Sequence, residues 1–198
     1  MQQMKNFHID TNELLAILVS VITISIAFAI VWTRSTNFDA NFLAVTGMII
    51  FTVGLGFILH ELAHKYVANK YGAYARYQMW TLGLLLAVVM AVAVGIVFAA
   101  PGAVYVYGGH MDREKNGKIS LAGPATNLVL GLLFVALGFI LPALREIAVL
   151  GSSVNFFLGA FNLLPIFPMD GSKVWAWNKY VWLAFFIPMA ILAFVQIL

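Results

Sequence analysis

The segment GLGFILHELAHKYVA, residues 54–68, places two histidines and a glutamate inside a largely apolar run. His60 and His64 stand four residues apart, so a helix carries both imidazoles on one face, where they can bind a single zinc ion. Glu61 lies beside them and can act as the general base toward a water molecule. The apolar neighbours predict that this hydrolytic metal site lies within a lipid bilayer.

The composition is that of an integral membrane protein. Of the 198 residues, 63% are hydrophobic and 10% are charged, whereas soluble domains carry about 25% charged residues. The 11 basic and 8 acidic residues are scattered along the chain, which argues against nucleic acid as a partner. Cysteine is absent, so any metal must be held by histidine, aspartate or glutamate.

Six apolar blocks divide the chain, at residues 14–32, 42–67, 82–100, 119–141, 147–169 and 180–198. Each is near the ~20 residues that cross a bilayer as a helix. The N-terminal residues lack a basic region and a small-residue cleavage site, so the first block is expected to be a retained helix and not a signal peptide. The tryptophans near block ends are expected to be interfacial anchors: Trp32, Trp80, Trp175, Trp177 and Trp182. We predict an all-α polytopic membrane protein with residues 1–198 as a single domain.

A second chemical element is NLLPIFPMDG, residues 162–171. Asp170 ends an apolar block, where a carboxylate facing lipid would cost about 2.5–3.5 kcal/mol. A catalytic zinc usually has three protein ligands, so Asp170 is well placed to be the third beside the histidine pair. Pro165 and Pro168 would break the helix before it and free backbone groups that need a protein-lined or watery cavity. The alternative is a helix-terminal carboxylate that reaches the membrane interface without binding metal.

These motifs resemble the site-2 protease family of intramembrane zinc metalloproteases. The His-Glu-x-x-His of residues 60–64 and the Asn-x-x-Pro-x-x-x-x-Asp-Gly of residues 162–171 are similar to two family motifs. The segment AGPATN, residues 122–127, resembles the family's Gly-Pro-x-x-Asn element. The three motifs follow the family order and cover roughly residues 54–172. The first and last apolar blocks are not diagnostic of the family.

The resemblance implies a zinc endopeptidase that cuts transmembrane segments of other membrane proteins within the lipid bilayer. It implies one Zn²⁺ per chain, bound by His60, His64 and Asp170. It also implies that Glu61 activates water for hydrolysis of the peptide bond.

Two asparagines are further candidates. The resemblance implies that Asn162 helps to hold the substrate or the tetrahedral oxyanion, although its side chain could equally cap the broken helix. For Asn127, substrate binding and a structural role between helices both stay open, and the structural role is favoured. The chain departs from the family at Met169, where leucine is common, and at residues 82–100, where many members have a β-hairpin or an inserted PDZ domain. We therefore expect a minimal form without a PDZ domain.

The order of the expected ligands constrains how the chain crosses the membrane. His60 and His64 lie late in the second block and Asp170 ends the fifth, so these two helices must run in the same direction for the ligands to meet at one depth. One block between them must then make no net crossing. The third block is favoured, because Pro101 and the glycines around it would let a re-entrant element around residues 82–109 enter and leave on one side. Five or six transmembrane helices are expected.

The charge distribution supports this topology independently. With six full crossings, lysine and arginine divide five against six between the two sides. With the third block re-entrant they divide nine against two, and only Arg34 and Arg145 lie on the far side. By the positive-inside rule, the protein is a multi-pass protein of the cell membrane with a cytoplasmic N-terminus and a site that opens toward the cytoplasmic half.

Two other functions could use the same residues. A metal-ion carrier or channel could employ the histidines and the aspartate as transport ligands, but such proteins tend to have internal repeats and several ligand sites along a path. The sequence has one such cluster, and transport would leave Glu61 without a role. A membrane-anchored metalloprotease of soluble peptides would take a glutamate as third ligand, but Glu114 and Glu146 lie at loop positions and belong to no motif. The sequence favours an intramembrane peptidase.

Overall fold

Eight α-helices and a two-stranded sheet make up the described part of the computed structural model, which comprises residues 7–35, 42–97, 101–108 and 111–195. The helices are α1 (Thr11–Ser35), α2 (Phe42–Ile49), α3 (Leu55–Lys70), α4 (Thr81–Ala93), α5 (Arg113–Ile140), α6 (Arg145–Asn162), α7 (Asp170–Trp177) and α8 (Lys179–Val195). The strands are β1 (Tyr74–Met79) and β2 (Gly102–Tyr107). A π-helical turn, Ile50–Gly54, joins α2 to α3, so the two form one continuous helix.

Four helical segments in this part of the chain are long and apolar enough to cross a membrane. They are Thr11–Arg34, Phe42–Lys70, Arg113–Ile140 and Pro142–Asn162. Helices α4 and α8 are also apolar but shorter, at 13 and 17 residues. The protein is therefore a helical membrane protein, as predicted, and the total of five or six crossings stays a prediction.

The sheet departs from the all-α prediction. Strands β1 and β2 pair antiparallel, from Tyr74 opposite Tyr107 to Met79 opposite Gly102. Each strand contains two tyrosines, and β2 also contains two valines, as suits a pleated surface. The all-α prediction is wrong here because both strands lie between apolar blocks. Strand β1 lies in a short polar link, and β2 lies in the stretch predicted to be the bend of the re-entrant element.

Helix α5 lies at the centre of the bundle and packs against α3, α6 and α7. Its contact with α6 is reciprocal. A Cβ at Gly131 of α5 would collide with the ring of Phe156, and a Cβ at Gly151 of α6 would collide with the ring of Phe134. Each aromatic ring thus covers a glycine of the facing helix. Small residues bring helix backbones close together in this way inside membranes, where association depends on packing.

A buried ion pair joins α1 to α3. The side chains of Glu13 and Lys65 are each 2% exposed, and Lys65 Nζ contacts Glu13 Oε2. The second carboxylate oxygen, Oε1, accepts a hydrogen bond from the backbone N–H of Tyr77 in β1 at 2.8 Å. The start of α1 is therefore held on both α3 and β1. Its partner on α3, Lys65, directly follows His64 in the sequence.

The chain between the two strands leaves the sheet and returns to it. The backbone N–H of Trp80, directly after β1, donates to the carbonyl oxygen of Pro101, directly before β2, at 2.9 Å. Between them, α4 packs along α1, and Arg34 at the far end of α1 donates to the carbonyl oxygen of Ala91 at 3.2 Å. Helix α4 thus packs along the second half of α1, and the start of β2 lies beside the end of β1. Residues 98–100 and 109 of the predicted re-entrant element at 82–109 lie outside the described residues, and the re-entrant arrangement stays a proposal.

Replacing Lys65 by methionine should destabilise the protein, because the Glu13 carboxylate would stay buried without its countercharge. Loss of one partner of a buried ion pair costs about 3–5 kcal/mol. The double variant Glu13→Gln, Lys65→Met removes both charges and is expected to recover most of that loss. The free energy of unfolding in mixed detergent micelles measures both effects, and a single variant as stable as the wild type would contradict the role given to this pair.

Candidate metal centre

Helices α3 and α7 bring His60, His64 and Asp170 together. The histidines lie one turn apart on α3, and Asp170 is the first residue of α7. The two Nε2 atoms are 2.9 Å apart. Asp170 Oδ2 lies 3.4 Å from Nε2 of His60 and 3.1 Å from Nε2 of His64. Among the described residues, these three form the one group of histidine and acidic side chains that could hold a metal ion.

The arrangement of these three side chains fits a zinc ion. Two imidazole nitrogens and a carboxylate oxygen are a ligand set that zinc takes in proteins. Around a tetrahedral zinc with bonds of about 2.0–2.1 Å, ligand atoms lie about 3.3 Å apart. The separations here are 2.9, 3.1 and 3.4 Å. Three protein ligands also leave a fourth position open, as catalytic zinc requires.

Hydrogen bonds on the far side of each ring place the proton of the neutral imidazole on Nδ1 and leave Nε2 as the metal-binding nitrogen. His64 Nδ1 lies 2.7 Å from the carbonyl oxygen of Ile119, which can only accept, so Nδ1 is the protonated nitrogen. His60 Nδ1 lies 2.5 Å from Oδ1 of Asn127, which also accepts. Two bare nitrogens and a carboxylate oxygen therefore face one another. Their mutual repulsion favours a cation between them, and such outer partners are typical of histidines that bind metals.

Glu61 lies next to the histidines and is held by the sheet. Its side chain is buried, and Oε2 accepts a hydrogen bond from the backbone N–H of Val104 in β2 at 3.0 Å. Within the described part of the chain, Oε1 has no hydrogen-bond partner. One carboxylate oxygen is thus anchored and the other is available to take a proton. Sequence reasoning missed Val104 because the strand itself was not predicted.

Helix α5 passes closest to the imidazoles at Gly123. A Cβ at this position would lie 2.5 Å from His60 Nε2 and would also collide with His64 Nε2. Only glycine allows α5 to approach the metal-facing nitrogens. Gly123 belongs to the Gly-Pro-x-x-Asn element, so the signal was present in the sequence, although no role was assigned to this residue.

Asn127 lies one turn after Gly123 and is fully buried. Besides its contact with His60, its Nδ2 donates to the carbonyl oxygen of Gly56 at 3.3 Å and to Oδ1 of Asn155 at 3.0 Å. All these contacts lie inside the bundle, which favours the structural role over substrate binding. Sequence reasoning missed Asn155, an isolated amide in the fifth apolar block; an uncharged polar residue within a predicted membrane helix was the available signal.

Asn162 ends α6 outside the group of three. Its Nδ2 donates to the carbonyl oxygen of Leu158, one turn earlier in the same helix, at 2.9 Å. This is the local bond expected of a residue at a broken helix end. Contact of Asn162 with a substrate or an oxyanion stays a proposal.

The turn that leads to Asp170 is anchored by α8. The indole N–H of Trp182 donates to the carbonyl oxygen of Leu163 at 2.6 Å. Gly171 lies against the same carbonyl, where a Cβ would collide with it. Trp182 is 7% exposed, so its predicted role as an interfacial anchor is wrong: the ring is buried and supports the turn. Lys173 Nζ lies 3.8 Å from Asp170 Oδ1, which turns the other carboxylate oxygen toward the histidines.

Comparison with curated proteins finds zinc metalloproteases. A Methanocaldococcus jannaschii protein that carries the provisional name of a zinc metalloprotease is 38% identical over 189 residues, or 94% of this chain and 95% of that protein. A zinc metalloprotease of the same organism is 28% identical over 177 residues, or 85% of this chain and 44% of that longer protein. Rip3 of Mycobacterium tuberculosis, also provisionally named a zinc metalloprotease, is 30% identical over 166 residues, or 76% of this chain and 37% of that protein. No family model and no solved structure matches the chain.

Gly123→Ala should remove zinc from the purified protein, because the added methyl group displaces both metal-facing nitrogens. Zinc affinity is expected to fall more than about tenfold, while α5 itself tolerates alanine well. Mass spectrometry of bound metal gives the zinc content per chain. Gly47→Ala is the matched control, since a Cβ there meets no atom within 4 Å. Stoichiometric zinc in the Gly123 variant would show that α5 does not lie against the imidazoles.

Proposed function

The chain belongs to the zinc metalloprotease family of these relatives, and we propose that it is an intramembrane endopeptidase of the site-2 protease type. Its substrates would be peptide bonds within or near the transmembrane segments of other membrane proteins. One observation carries the proposal: His60, His64 and Glu61 lie on a continuous helix that is long and apolar enough to span a membrane, and α7 brings Asp170 to the two histidines.

His60, His64 and Asp170 are the residues proposed to hold the zinc ion. When bound, zinc acts as a Lewis acid toward the peptide carbonyl and toward water. The chain contributes the orientation of the ligands. Both imidazoles are fixed by their Nδ1 hydrogen bonds, and the carboxylate of Asp170 is turned toward them with Lys173 at its other oxygen.

Glu61 is proposed as the general base. The hydrogen bond from Val104 holds Oε2, so Oε1 is the atom that would take the proton of the attacking water and later give it to the leaving amine. The substrate would have to unwind locally, because the peptide bonds of a helix are shielded by the helix's own hydrogen bonds. Asn162 is proposed to approach the oxyanion, which would require its side chain to leave the Leu158 carbonyl.

We further propose that the site opens toward the cytoplasm. The ion pair of Glu13 with Lys65 sets the start of α1 beside the end of α3, and the contact of His64 with Ile119 sets the start of α5 at the same end of the bundle. Basic residues collect there: Lys65, Lys70, Arg76, Arg113, Lys115, Lys118, Lys173 and Lys179. Within the described residues, Arg34 and Arg145 lie at the other end, a distribution that the positive-inside rule associates with a cytoplasmic basic end.

Glu61→Gln should abolish proteolysis and leave zinc bound, because the amide cannot take a proton while both imidazoles stay in place. Loss of a general base lowers the rate by about 10²–10⁴-fold. Cleavage of a model transmembrane substrate by the detergent-purified protein, together with its zinc content, measures the two effects separately. Asp170→Ala is the contrasting variant and should lose zinc as well as activity. Chelator-sensitive cleavage by the Glu61 variant would remove Glu61 as the base.

Residues 82–109 should enter and leave the membrane on the cytoplasmic side. The chain has no cysteine, so single cysteines at positions 35 and 116 can report on the two sides. A membrane-impermeant thiol reagent on intact cells should label position 35 only, and permeabilised cells should label both. Labelling of position 116 on intact cells would show that the third block crosses.

A further inference from the structure

Asn155 of α6 ends a chain of buried amides that leads to the metal centre. We propose that Asn155 is a positioning residue: acting through Asn127, it holds the His60 ring in the tautomer whose Nε2 is free to bind zinc. This inference rests on the proposed function only in that His60 is taken as a zinc ligand. It does not depend on which substrate the protein cuts, or on whether it cuts one.

A backbone carbonyl fixes the orientation of the first side-chain amide, that of Asn155. Asn155 Nδ2 lies 2.8 Å from the carbonyl oxygen of Gly151, one turn earlier in α6. A carbonyl oxygen only accepts hydrogen bonds, so the end of the amide that faces Gly151 must be the NH₂ group. Oδ1 of Asn155 therefore points away from Gly151 and is an acceptor for the next amide.

Asn127 is oriented by two acceptors at once. Its Nδ2 lies 3.0 Å from Oδ1 of Asn155 and 3.3 Å from the carbonyl oxygen of Gly56 on α3. Both partners only accept in this arrangement, so Oδ1 of Asn127 must be the atom that faces His60 Nδ1. The absence of a side chain at Gly56 makes room for the contact between Asn127 and Asn155, since a Cβ there would lie 2.6 Å from Asn155 Oδ1.

The last bond sets the tautomer of His60. Because Oδ1 of Asn127 accepts, Nδ1 of His60 carries a proton, and in the neutral ring Nε2 faces His64 and Asp170 without one. The opposite tautomer would oppose two lone pairs at 2.5 Å and direct an N–H at the metal-facing side. A single direction of donation thus runs from His60 to Gly151.

The two histidines differ in what fixes them. His64 donates directly to the backbone carbonyl of Ile119, which cannot rotate. His60 depends on an amide side chain that could flip by exchanging its oxygen and nitrogen ends. Asn127 and Asn155 are both fully buried, so water does not take over a lost bond. Loss of Asn155 should therefore affect His60 and spare His64.

The test is Asn155→Leu, which keeps the size of the side chain and removes both its donor and its acceptor. The metal-free protein is labelled with ¹⁵N-histidine, and NMR reads the protonated ring nitrogen of each of the four histidines. In the wild type, His60 and His64 should both carry the proton on Nδ1. In the variant, His60 should populate the Nε2–H tautomer while His64 stays unchanged, and zinc affinity should fall about 10–100-fold.

Two further variants separate positioning from general damage. Asn155→Asp is the conservative rescue: a buried carboxyl favours its neutral form, whose hydroxyl can donate to Gly151 and whose carbonyl can accept from Asn127. It should keep the His60 tautomer and most of the zinc affinity. Thr52→Val, on the π-helical turn before α3, removes buried bonds that stay local to Met48 and Ile49 and should change neither.

Several results would overturn the proposal. A folded Asn155→Leu protein with the wild-type His60 tautomer and zinc affinity would do so, as would equal changes at His60 and His64. If Asn155→Leu fails to fold, the wild-type spectrum still decides, because a His60 ring without a proton on Nδ1 in the metal-free wild type contradicts the chain of donation. None of these readouts uses proteolysis, so failure of the proposed function and failure of this inference can be distinguished.

Discussion

The packing around the site depends on one requirement: the Nε2 atoms of His60 and His64 must both be free to bind a metal ion. Each ring needs a hydrogen-bond acceptor on its far side, and α5 supplies both, through Ile119 and Asn127. Helix α5 can reach both rings only by lying directly against α3, which the absence of a side chain at Gly123 permits. Asp170 then closes the site from the opposite direction, on a turn supported by α8. The metal centre thus determines the mutual positions of four helices.

The sequence predicted the grouped side chains of the site better than the structure around them, for physical reasons. The spacing of His60 and His64 follows from helix geometry, and an intramembrane aspartate is costly enough to point to a ligand. Asn155 could not be assigned, because its role depends on an orientation that only packing against α3 and α5 reveals. The strands were missed because a two-stranded sheet of six residues a side has little periodicity to detect, and their pairing is a contact distant in sequence.

The geometry also bears on the alternative of a metal carrier or channel. A transport path needs successive sites through which an ion can move. In the part of the chain that the structure describes, histidine and acidic side chains form a single group that could hold a metal ion, and its two histidines are buried. Glu61 has a defined anchor at Val104, which a transport ligand would not require. The arrangement suits a resident ion better than a passing one.

The two outer edges of the sheet are held by glutamates of two helices, Glu13 of α1 and Glu61 of α3. Glu61 accepts a hydrogen bond from the backbone N–H of Val104 in β2. Tyr77 lies opposite Val104 in β1, and its backbone N–H donates to Glu13. Glu13 in turn pairs with Lys65, which lies one turn after Glu61 on α3. Because N–H groups along a strand point alternately to either side, a one-residue insertion in either strand would turn one of these donors inward. The positions of the two strands along the sheet edge are therefore fixed by α1 and α3 together, and neither bond involves the chain between the strands. A change of length between the strands would therefore leave both bonds that hold Glu61 and Glu13 to the sheet in place.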